Sequence, residues 1–263
     1  FCDAAPAQLY RAVASAKAER SIGLGAMGFH AYLQRHNIPF ESAMAKSRNN
    51  KMFSFIKGEA ENATRELAVE RGPCPDGASA GVRNAHLLAV APNASSSIIC
   101  GNTSPSIEPY RANAFTQKTK SGSSLLKNEY LEHALQEIGQ DTDDVWKSII
   151  TNGGSVQHLE FLDDYTKDVF KTAVEIDQRW VIEMAADRQE KICQSQSLNI
   201  FFPSNVSKQE LHAIHMMAWK KKVKTLYYLR SEASKRAETV SDEALRQYIF
   251  DSIDDEGCLA CEG

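Results

Sequence analysis

The chain is organised around one short stretch, Val223-Lys-Thr-Leu-Tyr-Tyr-Leu-Arg230. Its branched and aromatic residues predict a β-strand. Neighbouring side chains of a strand point to opposite faces, so Tyr227 and Tyr228 would not pack as ordinary same-face core. In a tight turn at the end of the strand the two rings could lie against each other, and a stacked pair of oxidisable phenols could do more than fill space. The alternative is a half-buried strand with one tyrosine inside and one outside.

The bulk composition indicates one large globular domain or two small ones, with 263 residues of which 43% are hydrophobic. The net charge of −4 carries no basic signal for nucleic acid. No apolar run is long enough to span a membrane and no signal peptide is present, so we expect no membrane partner. Six scattered cysteines are typical of a reducing cytoplasm. Because the chain opens on Phe1 inside a helix-like pattern, we expect a fragment or the second part of a split protein.

Periodicity along the chain predicts an α/β layout with parallel strands and right-handed crossovers. Apolar runs predict strands over 86–91, 112–120 and 197–202. Helical spacing predicts helices over about 5–34, with a Gly-containing joint, and over 44–69, 124–139, 142–150, 164–172 and 174–193. Ser207, with Glu210 three residues on, forms a capping-box pattern that begins a helix ending near 221. We expect 1–230 to form one folded portion and 231–263 to form a mobile acidic tail.

Gly23-Leu-Gly-Ala-Met-Gly28 matches the glycine pattern of dinucleotide-binding sites. That function requires a hydrophobic strand before the first glycine, whereas the preceding residues are polar and helix-prone. Close helix packing over the glycines is therefore the favoured interpretation, and nucleotide binding is the alternative.

A small-residue segment, Pro92-Asn-Ala-Ser-Ser-Ser97, directly follows the apolar run 86–91. Small residues let backbone N–H groups converge on an anion, and ligands of α/β folds bind at the carboxyl ends of strands. With no Lys or Arg adjoining it in sequence, a phosphate site here would rest on amides, hydroxyls and a helix dipole. A serine-rich turn is the alternative.

Cys258 and Cys261 form a C-x-x-C pair in the acidic tail. A zinc site needs about four ligands, and no second close Cys/His pair accompanies this one. A dithiol on a mobile tail is well placed to visit two partners in turn by thiol–disulfide exchange, so redox chemistry is favoured over zinc or chance. We expect no metal site in the chain. The other cysteines (Cys74, Cys100, Cys193) are interpreted as buried small hydrophobes, and the seven histidines as exposed or capping residues.

Taken together, these motifs resemble the C-terminal part of the large (α) subunit of class I ribonucleoside-diphosphate reductase. The resemblance covers nearly the whole chain and rests on five ordered stretches. They are Ser21–Gly28, Ala91–Ser97, Asn102-Thr-Ser-Pro-Ser-Ile-Glu-Pro109, Lys224-Thr-Leu-Tyr-Tyr228 and the Cys258/Cys261 tail. The implied fold is the C-terminal half of a ten-stranded α/β barrel, helix-rich, with a flexible C-terminal tail.

The resemblance also implies roles for matching positions. The loop that holds the substrate diphosphate, largely through backbone amides, corresponds to Pro92, Asn93, Ala94, Ser95 and Ser96. The stacked pair that relays a radical corresponds to Tyr227 and Tyr228. The tail dithiol that re-reduces the active-site disulfide corresponds to Cys258 and Cys261.

The same resemblance implies partners and cofactors. The partners are the N-terminal portion of the large subunit, a radical-generating small (β) subunit, thioredoxin or glutaredoxin, and a ribonucleoside diphosphate. No cofactor is expected on this chain, because the radical metallocofactor, di-iron or related, belongs to the small subunit and nucleotide effectors bind elsewhere in the full subunit.

Several departures from the family pattern qualify the resemblance. In the family the radical-bearing cysteine and the reducing cysteine pair of the barrel lie upstream of Phe1, so the chain alone should be inactive. Its tail cysteines are two residues apart, and many relatives have a longer gap. A non-catalytic structural or nucleotide-binding half-barrel that completes a partner is the alternative function.

Overall fold

The computed structural model of the chain describes residues 1–119 and 122–231. The predicted tail beyond Ser231, with Cys258 and Cys261, lies outside these residues. The described helices are α1 (Tyr10–Glu19), α2 (Phe29–Arg35), α3 (Ala43–Arg71), α4 (Ala94–Ile99), α5 (Glu129–Glu137), α6 (Asp143–Thr151), α7 (Asp164–Val169), α8 (Gln178–Gln189) and α9 (Lys208–Lys220). The described strands are β1 (Ala114–Thr119), β2 (Gly122–Lys127), β3 (Ile200–Phe202) and β4 (Leu229–Ser231).

Four extended segments lie side by side and run parallel, in the order 22–25, 86–90, 194–202 and 227–231. Backbone bonds join each neighbouring pair, for example Leu24 N–H to Leu87 O at 2.8 Å and Val90 N–H to Ser195 O at 3.0 Å. The last two segments contain β3 and β4, which pair in parallel register. The connections between these segments contain helices, so the predicted α/β layout with parallel strands is confirmed. The predicted strand at 86–91 forms only isolated bridges, through Leu88 and Val90.

The predicted long helix over 5–34 is wrong in its middle. Helix α1 ends at Arg20, which adopts a left-handed conformation (φ 48°), and helix α2 begins only after Gly28. The residues between them form the first extended segment. Tertiary pairing with segment 86–90 therefore overrides the local helical periodicity.

An antiparallel hairpin joins β1 and β2, with Phe115 opposite Leu126. The first strand was predicted, whereas the second lies partly in the region predicted to begin a helix near 124. Helix α5 starts after Asn128, whose side chain accepts the Tyr130 N–H at 3.1 Å. This N-cap places the helix start five residues later than periodicity indicates, at Glu129 instead of 124.

In the part of the chain that the structure describes, the core consists of two apolar clusters. The larger lies between the parallel segments and helices α2, α3, α8 and α9, and includes Phe29, Phe53, Ile182 and Phe202. The smaller one is built from the hairpin and α5–α7 around the fully buried Trp146. Within residues 1–119 and 122–231, no helix combines the length and the apolar content that crossing a membrane requires.

The buried Arg188 side chain connects several elements of the larger cluster. The Arg188 guanidinium donates to Gln196 Oε1 at 3.0 Å and to Asn49 Oδ1 at 2.8 Å. It also lies 5.8 Å and 5.6 Å from the ring centroids of Phe29 and Phe53. Burial lowers the pKa of Arg188 to about 9, so the side chain is charged at pH 7. It links α3, α8 and segment 194–202.

A buried histidine anchors the loop between α4 and β1. His30 is fully buried, in contrast to the prediction of exposed or capping histidines. Its Nδ1 accepts the Tyr110 N–H at 3.0 Å. Burial lowers the pKa of His30 to about 3, so the ring is neutral at pH 7. The loop is thereby fixed against helix α2.

Candidate functional site

The tyrosine pair lies immediately before β4 rather than within it. The ring centroids of Tyr227 and Tyr228 are 4.1 Å apart, with the planes tilted by 46°. The Tyr227 N–H donates to Leu198 O at 2.8 Å, and the Tyr228 carbonyl accepts the Ile200 N–H at 3.0 Å. The rings therefore contact each other at the start of β4, on a backbone that is fixed against segment 194–202. Tyr227 is 46% exposed, which leaves one face of the pair accessible to a partner.

The backbone of Tyr228 is held by a buried amide. Asn199 is 3% exposed, and its Oδ1 accepts the Tyr228 N–H at 3.0 Å. The Asn199 backbone N–H donates to Glu108 Oε1 at 3.3 Å, and the Asn199 side chain is close enough to this carboxylate to lower its pKa. A chain of hydrogen bonds thus runs from Glu108 through Asn199 to Tyr228.

Two arginines balance the Glu108 carboxylate, which is 3% exposed. Burial raises the pKa of Glu108, while the bonds from Asn199 and the charges of Arg111 and Arg230 oppose that rise. The Arg230 guanidinium carbon lies 5.1 Å from the Tyr228 ring centroid, within the range of a cation–π contact. The tyrosine pair therefore has one carboxylate and one guanidinium group in its immediate surroundings.

The serine-rich segment begins a short helix instead of forming a loop throughout. Asn93 adopts a left-handed conformation (φ 54°) and caps α4 without a side-chain bond. The Ser97 N–H donates to Asn93 O at 3.0 Å. The N–H groups before it belong to the first turn, whose donors have no intrahelical acceptor. Ala94, Ser95 and Ser96 are exposed residues, so an anion can approach this turn from solvent. They form the kind of amide-lined surface that an anion requires.

Strand register places this segment close to the tyrosines. Val90 pairs with Gln196, and Ile200 pairs with Leu229. Continuing both registers puts Pro92 level with Leu198 and Tyr227. Parallel neighbours are about 4.8 Å apart, so two strand spacings, about 10 Å, separate segment 86–90 from segment 227–231. The sheet thus brings together two motifs that are more than 130 residues apart in sequence.

Packing accounts for the glycines of the Gly23–Gly28 segment. A Cβ on Gly25 would lie 2.6 Å from the Ala89 carbonyl oxygen, and one on Gly28 would lie 2.6 Å from Thr103 Oγ1. Gly28 also has φ 82°, a conformation that favours glycine. A helix was predicted to pack over these glycines. That prediction is wrong for Gly25, because it packs against the extended segment 86–90.

The remaining cysteines do not all behave as predicted. Cys74 is buried, whereas Cys100 and Cys193 are exposed. The Cys193 sulfur accepts hydrogen bonds from the N–H groups of Leu87 and Leu88, both at 3.2 Å. These bonds fix the beginning of segment 86–90. No group of three or more His, Cys, Asp or Glu that could hold a metal ion occurs among residues 1–119 and 122–231.

Sequence reasoning identified the 102–109 motif but not the part that Glu108 plays in it. It also missed Asn199 and Arg230, although both flank predicted elements. A usable signal was present, because Glu108 is an acid between Ile107 and Pro109 in a loop otherwise built from small residues. A charged residue in such a setting is buried only with partners.

Comparison with known proteins gives consistent matches along the chain. The family model described as "Ribonucleotide reductase, barrel domain" matches residues 2–77 and 75–229. The ribonucleoside-diphosphate reductase large subunit of Invertebrate iridescent virus 6 is 49% identical over 92% of this chain and 26% of its own length. The large subunit of Caenorhabditis elegans is 33% identical over 93% of this chain and 36% of its own length.

A solved structure matches as well. The Actinobacillus ureae class Id ribonucleotide reductase alpha subunit superimposes with a TM-score of 0.82 and 39% identity, covering 90% of this chain and 44% of that one. The chain therefore spans less than half the length of these three relatives.

Proposed function

Because this chain belongs to the ribonucleotide reductase large-subunit family and forms part of its barrel domain, we propose that it contributes to the reduction of ribonucleoside diphosphates to 2′-deoxyribonucleoside diphosphates. The reaction replaces the ribose 2′-OH by hydrogen and releases water. Two electrons come from a dithiol, which becomes a disulfide. The observation that carries this proposal is the contact between the Tyr227 and Tyr228 rings, whose centroids are 4.1 Å apart, on a backbone fixed against the parallel segment 194–202.

The proposed substrate site is the segment Pro92–Ser96. Its first-turn amides and the Ser95 and Ser96 hydroxyls offer donors to a diphosphate without a cation. Asn93, held in its left-handed conformation, turns the chain from the strand end into α4. The role of this segment is to hold the diphosphate so that the ribose lies toward the barrel interior.

The proposed relay is the tyrosine pair. Each phenol loses its hydroxyl proton and one electron when it is oxidised, and regains both when it is reduced. Contact between the rings keeps each transfer step short, and the exposed side of Tyr227 faces a partner. The small subunit, with its metallocofactor, supplies the oxidising equivalent. The chain therefore needs both this subunit and the upstream cysteines of the large subunit.

The proposed reductant pathway uses the tail. Cys258 and Cys261 would carry electrons from thioredoxin or glutaredoxin to the disulfide left in the barrel after each turnover. This proposal rests on the family resemblance and on the C-x-x-C spacing in the sequence. The proposed location is the cytoplasm, in line with the use of these reductants.

The test is a reductase assay on a ribonucleoside diphosphate with thioredoxin as reductant. The chain is mixed with a separately expressed N-terminal portion of the large subunit and with the small subunit. We expect turnover only when all three are present, and none with Tyr227→Phe or Tyr228→Phe, because a phenylalanine cannot transfer the proton and electron. Tyr165→Phe, at a tyrosine 52% exposed elsewhere, is the matched control and should be fully active. Full activity of either Phe variant of the pair would refute the relay, and a stable but inactive ternary complex would favour the structural alternative.

A further inference from the structure

We propose that Glu108 is a positioning residue for the tyrosine relay, because it holds Asn199 and Arg230 in place on either side of Tyr228. This inference rests on the proposed function and goes beyond it. Glu108 touches neither substrate nor the phenol groups in the contacts described above. It acts through two neighbours, one fixing the backbone of Tyr228 and one placing a positive charge over its ring.

The first action is to orient the Asn199 amide. An asparagine side chain presents a donor on one side and an acceptor on the other. The Glu108 carboxylate accepts the Asn199 backbone N–H at 3.3 Å and attracts the donor side of its amide, so that Oδ1 faces the Tyr228 N–H and accepts it at 3.0 Å. An ionised carboxylate only accepts hydrogen bonds, so it permits one orientation of the amide. A group that can also donate would allow the amide to rotate and break its bond to Tyr228.

The second action is to balance Arg230. The Arg230 Nε is buried and has no hydrogen-bond partner, and the guanidinium lies 5.1 Å from the Tyr228 ring centroid. Arg230 as a whole is half-buried, and a charge taken partly out of water is costly unless an opposite charge is close. Glu108 supplies that charge, since it interacts electrostatically with Arg230 and Arg111. Without it, Arg230 gains free energy by turning toward solvent and leaving the ring.

The Glu108 carboxylate belongs to a loop whose backbone is fixed on both sides. The Gly28 N–H donates to Ser104 O at 2.9 Å and the Phe29 N–H to Ser106 O at 3.2 Å, so helix α2 fixes the backbone before Glu108. His30 fixes the backbone after it through the Tyr110 N–H. The same loop follows α4 directly. Glu108 therefore stands on the segment that leads away from the proposed diphosphate site, and supports the relay from that side.

The experiment removes the negative charge of Glu108 and follows the surroundings of the Tyr228 ring by fluorine NMR. In the complete large subunit with its small subunit, 3-fluorotyrosine at position 228 gives a fluorine NMR signal, recorded with and without Glu108→Gln. Glutamine has the same shape but no charge, and it can donate. We expect the signal to move and broaden, and kcat to fall by about 10- to 100-fold, because misplacement by about 1 Å costs that much. KM for the diphosphate should stay within about twofold, because the binding segment is untouched.

Two controls separate positioning from general damage. Glu41→Gln removes another partly buried carboxylate, one that pairs with Lys171 at 2.6 Å, and should leave the fluorine signal unchanged. The double variant Glu108→Gln/Arg230→Gln removes both Glu108 and the cation that it places over the Tyr228 ring, so the combined loss of kcat should be smaller than the product of the single losses. Multiplicative losses would show that the two side chains act independently.

The outcomes distinguish this inference from the proposed function. If Tyr228→Phe is active, the relay itself is refuted, whatever Glu108 does. If Tyr228→Phe is inactive but Glu108→Gln keeps kcat within about twofold of wild type, the positioning role is overturned. The same holds if kcat falls while the fluorine signal is unchanged. Should Glu108→Gln fail to fold, Arg230→Gln gives the same test, and an unmoved fluorine signal at position 228 would overturn the proposal.

Discussion

Replacing Gly25 with alanine should destabilise the chain through one backbone contact. The added Cβ would lie 2.6 Å from the Ala89 carbonyl oxygen and 3.5 Å from Val90 Cα. Gly25 has no positive φ, so alanine can adopt its backbone conformation and the effect comes from the contact alone. The oxygen belongs to backbone in the centre of the parallel segments and cannot rotate away as a side chain would.

The magnitude follows from the displacement required. A carbon–oxygen contact of about 3.3 Å demands that the two segments separate by about 0.7 Å. The adjacent bond from Ala89 N–H to Leu24 O, 3.1 Å long, would then exceed the hydrogen-bond limit, a loss of about 1 kcal/mol. Overpacking adds about 1–3 kcal/mol, and the lower entropy of the unfolded alanine chain returns about 0.5 kcal/mol. We expect a net loss of about 2 kcal/mol in the free energy of unfolding.

The assay is urea unfolding followed by circular dichroism and tryptophan fluorescence. With a slope of about 2.5 kcal/mol per molar urea, the midpoint should fall by about 0.8 M. Gly58→Ala is the matched control, because Gly58 lies within α3 and its added Cβ meets no atom within 4 Å. That substitution should raise the free energy of unfolding by about 0.5–1 kcal/mol, since alanine favours the helix.

A Gly25→Ala midpoint equal to wild type would refute this reasoning, because the close approach of the two segments would then be unimportant. The result also bears on the dinucleotide alternative for Gly23–Gly28. A destabilised variant with no nucleotide-dependent change in its midpoint would show that the glycine is needed for packing. Saturable dinucleotide binding that vanishes in Gly25→Val would favour the alternative.

Three further predictions address the interior and the tail. Because burial lowers the pKa of His30 to about 3, the unfolded state binds more protons than the folded state below pH 6.5. The contribution of His30 to the free energy of unfolding is therefore complete above that pH and is lost as the pH falls toward 3. Urea midpoints should reveal a loss of about 2 kcal/mol between pH 7 and pH 5, and this loss should be absent in His30→Gln. Arg188→Ala, which removes two buried hydrogen bonds and leaves a cavity, should cost about 3–4 kcal/mol in the free energy of unfolding, whereas the exposed Arg48→Ala should change it by less than about 0.5 kcal/mol. Cys258→Ser or Cys261→Ser should abolish turnover with thioredoxin but not with a small dithiol in the reconstituted reductase, and an equal loss with both reductants would contradict the shuttle role.

Local pattern was sufficient for much of the fold and for the family. Helix α3 was predicted within two residues, and α9 begins at the predicted Ser207 cap, where the hydroxyl accepts the Glu210 N–H at 3.0 Å. Capping and periodicity involve residues three or four apart, so their physics is contained in a short window of sequence. The resemblance to the ribonucleotide reductase large subunit was likewise carried by short ordered motifs, and the family match confirmed it.

Contacts between distant residues decided the rest. The sequence predicted a helix through 22–25, but pairing with segment 86–90 made it extended. Glu108 and Asn199 are separated by 91 residues, and nothing local to either indicates that they meet beneath Tyr228. Periodicity determines which side of a segment is apolar, and it leaves open which two segments face each other. That choice is made when the whole core packs, because only then do buried charges and amides find the partners that offset the cost of leaving water.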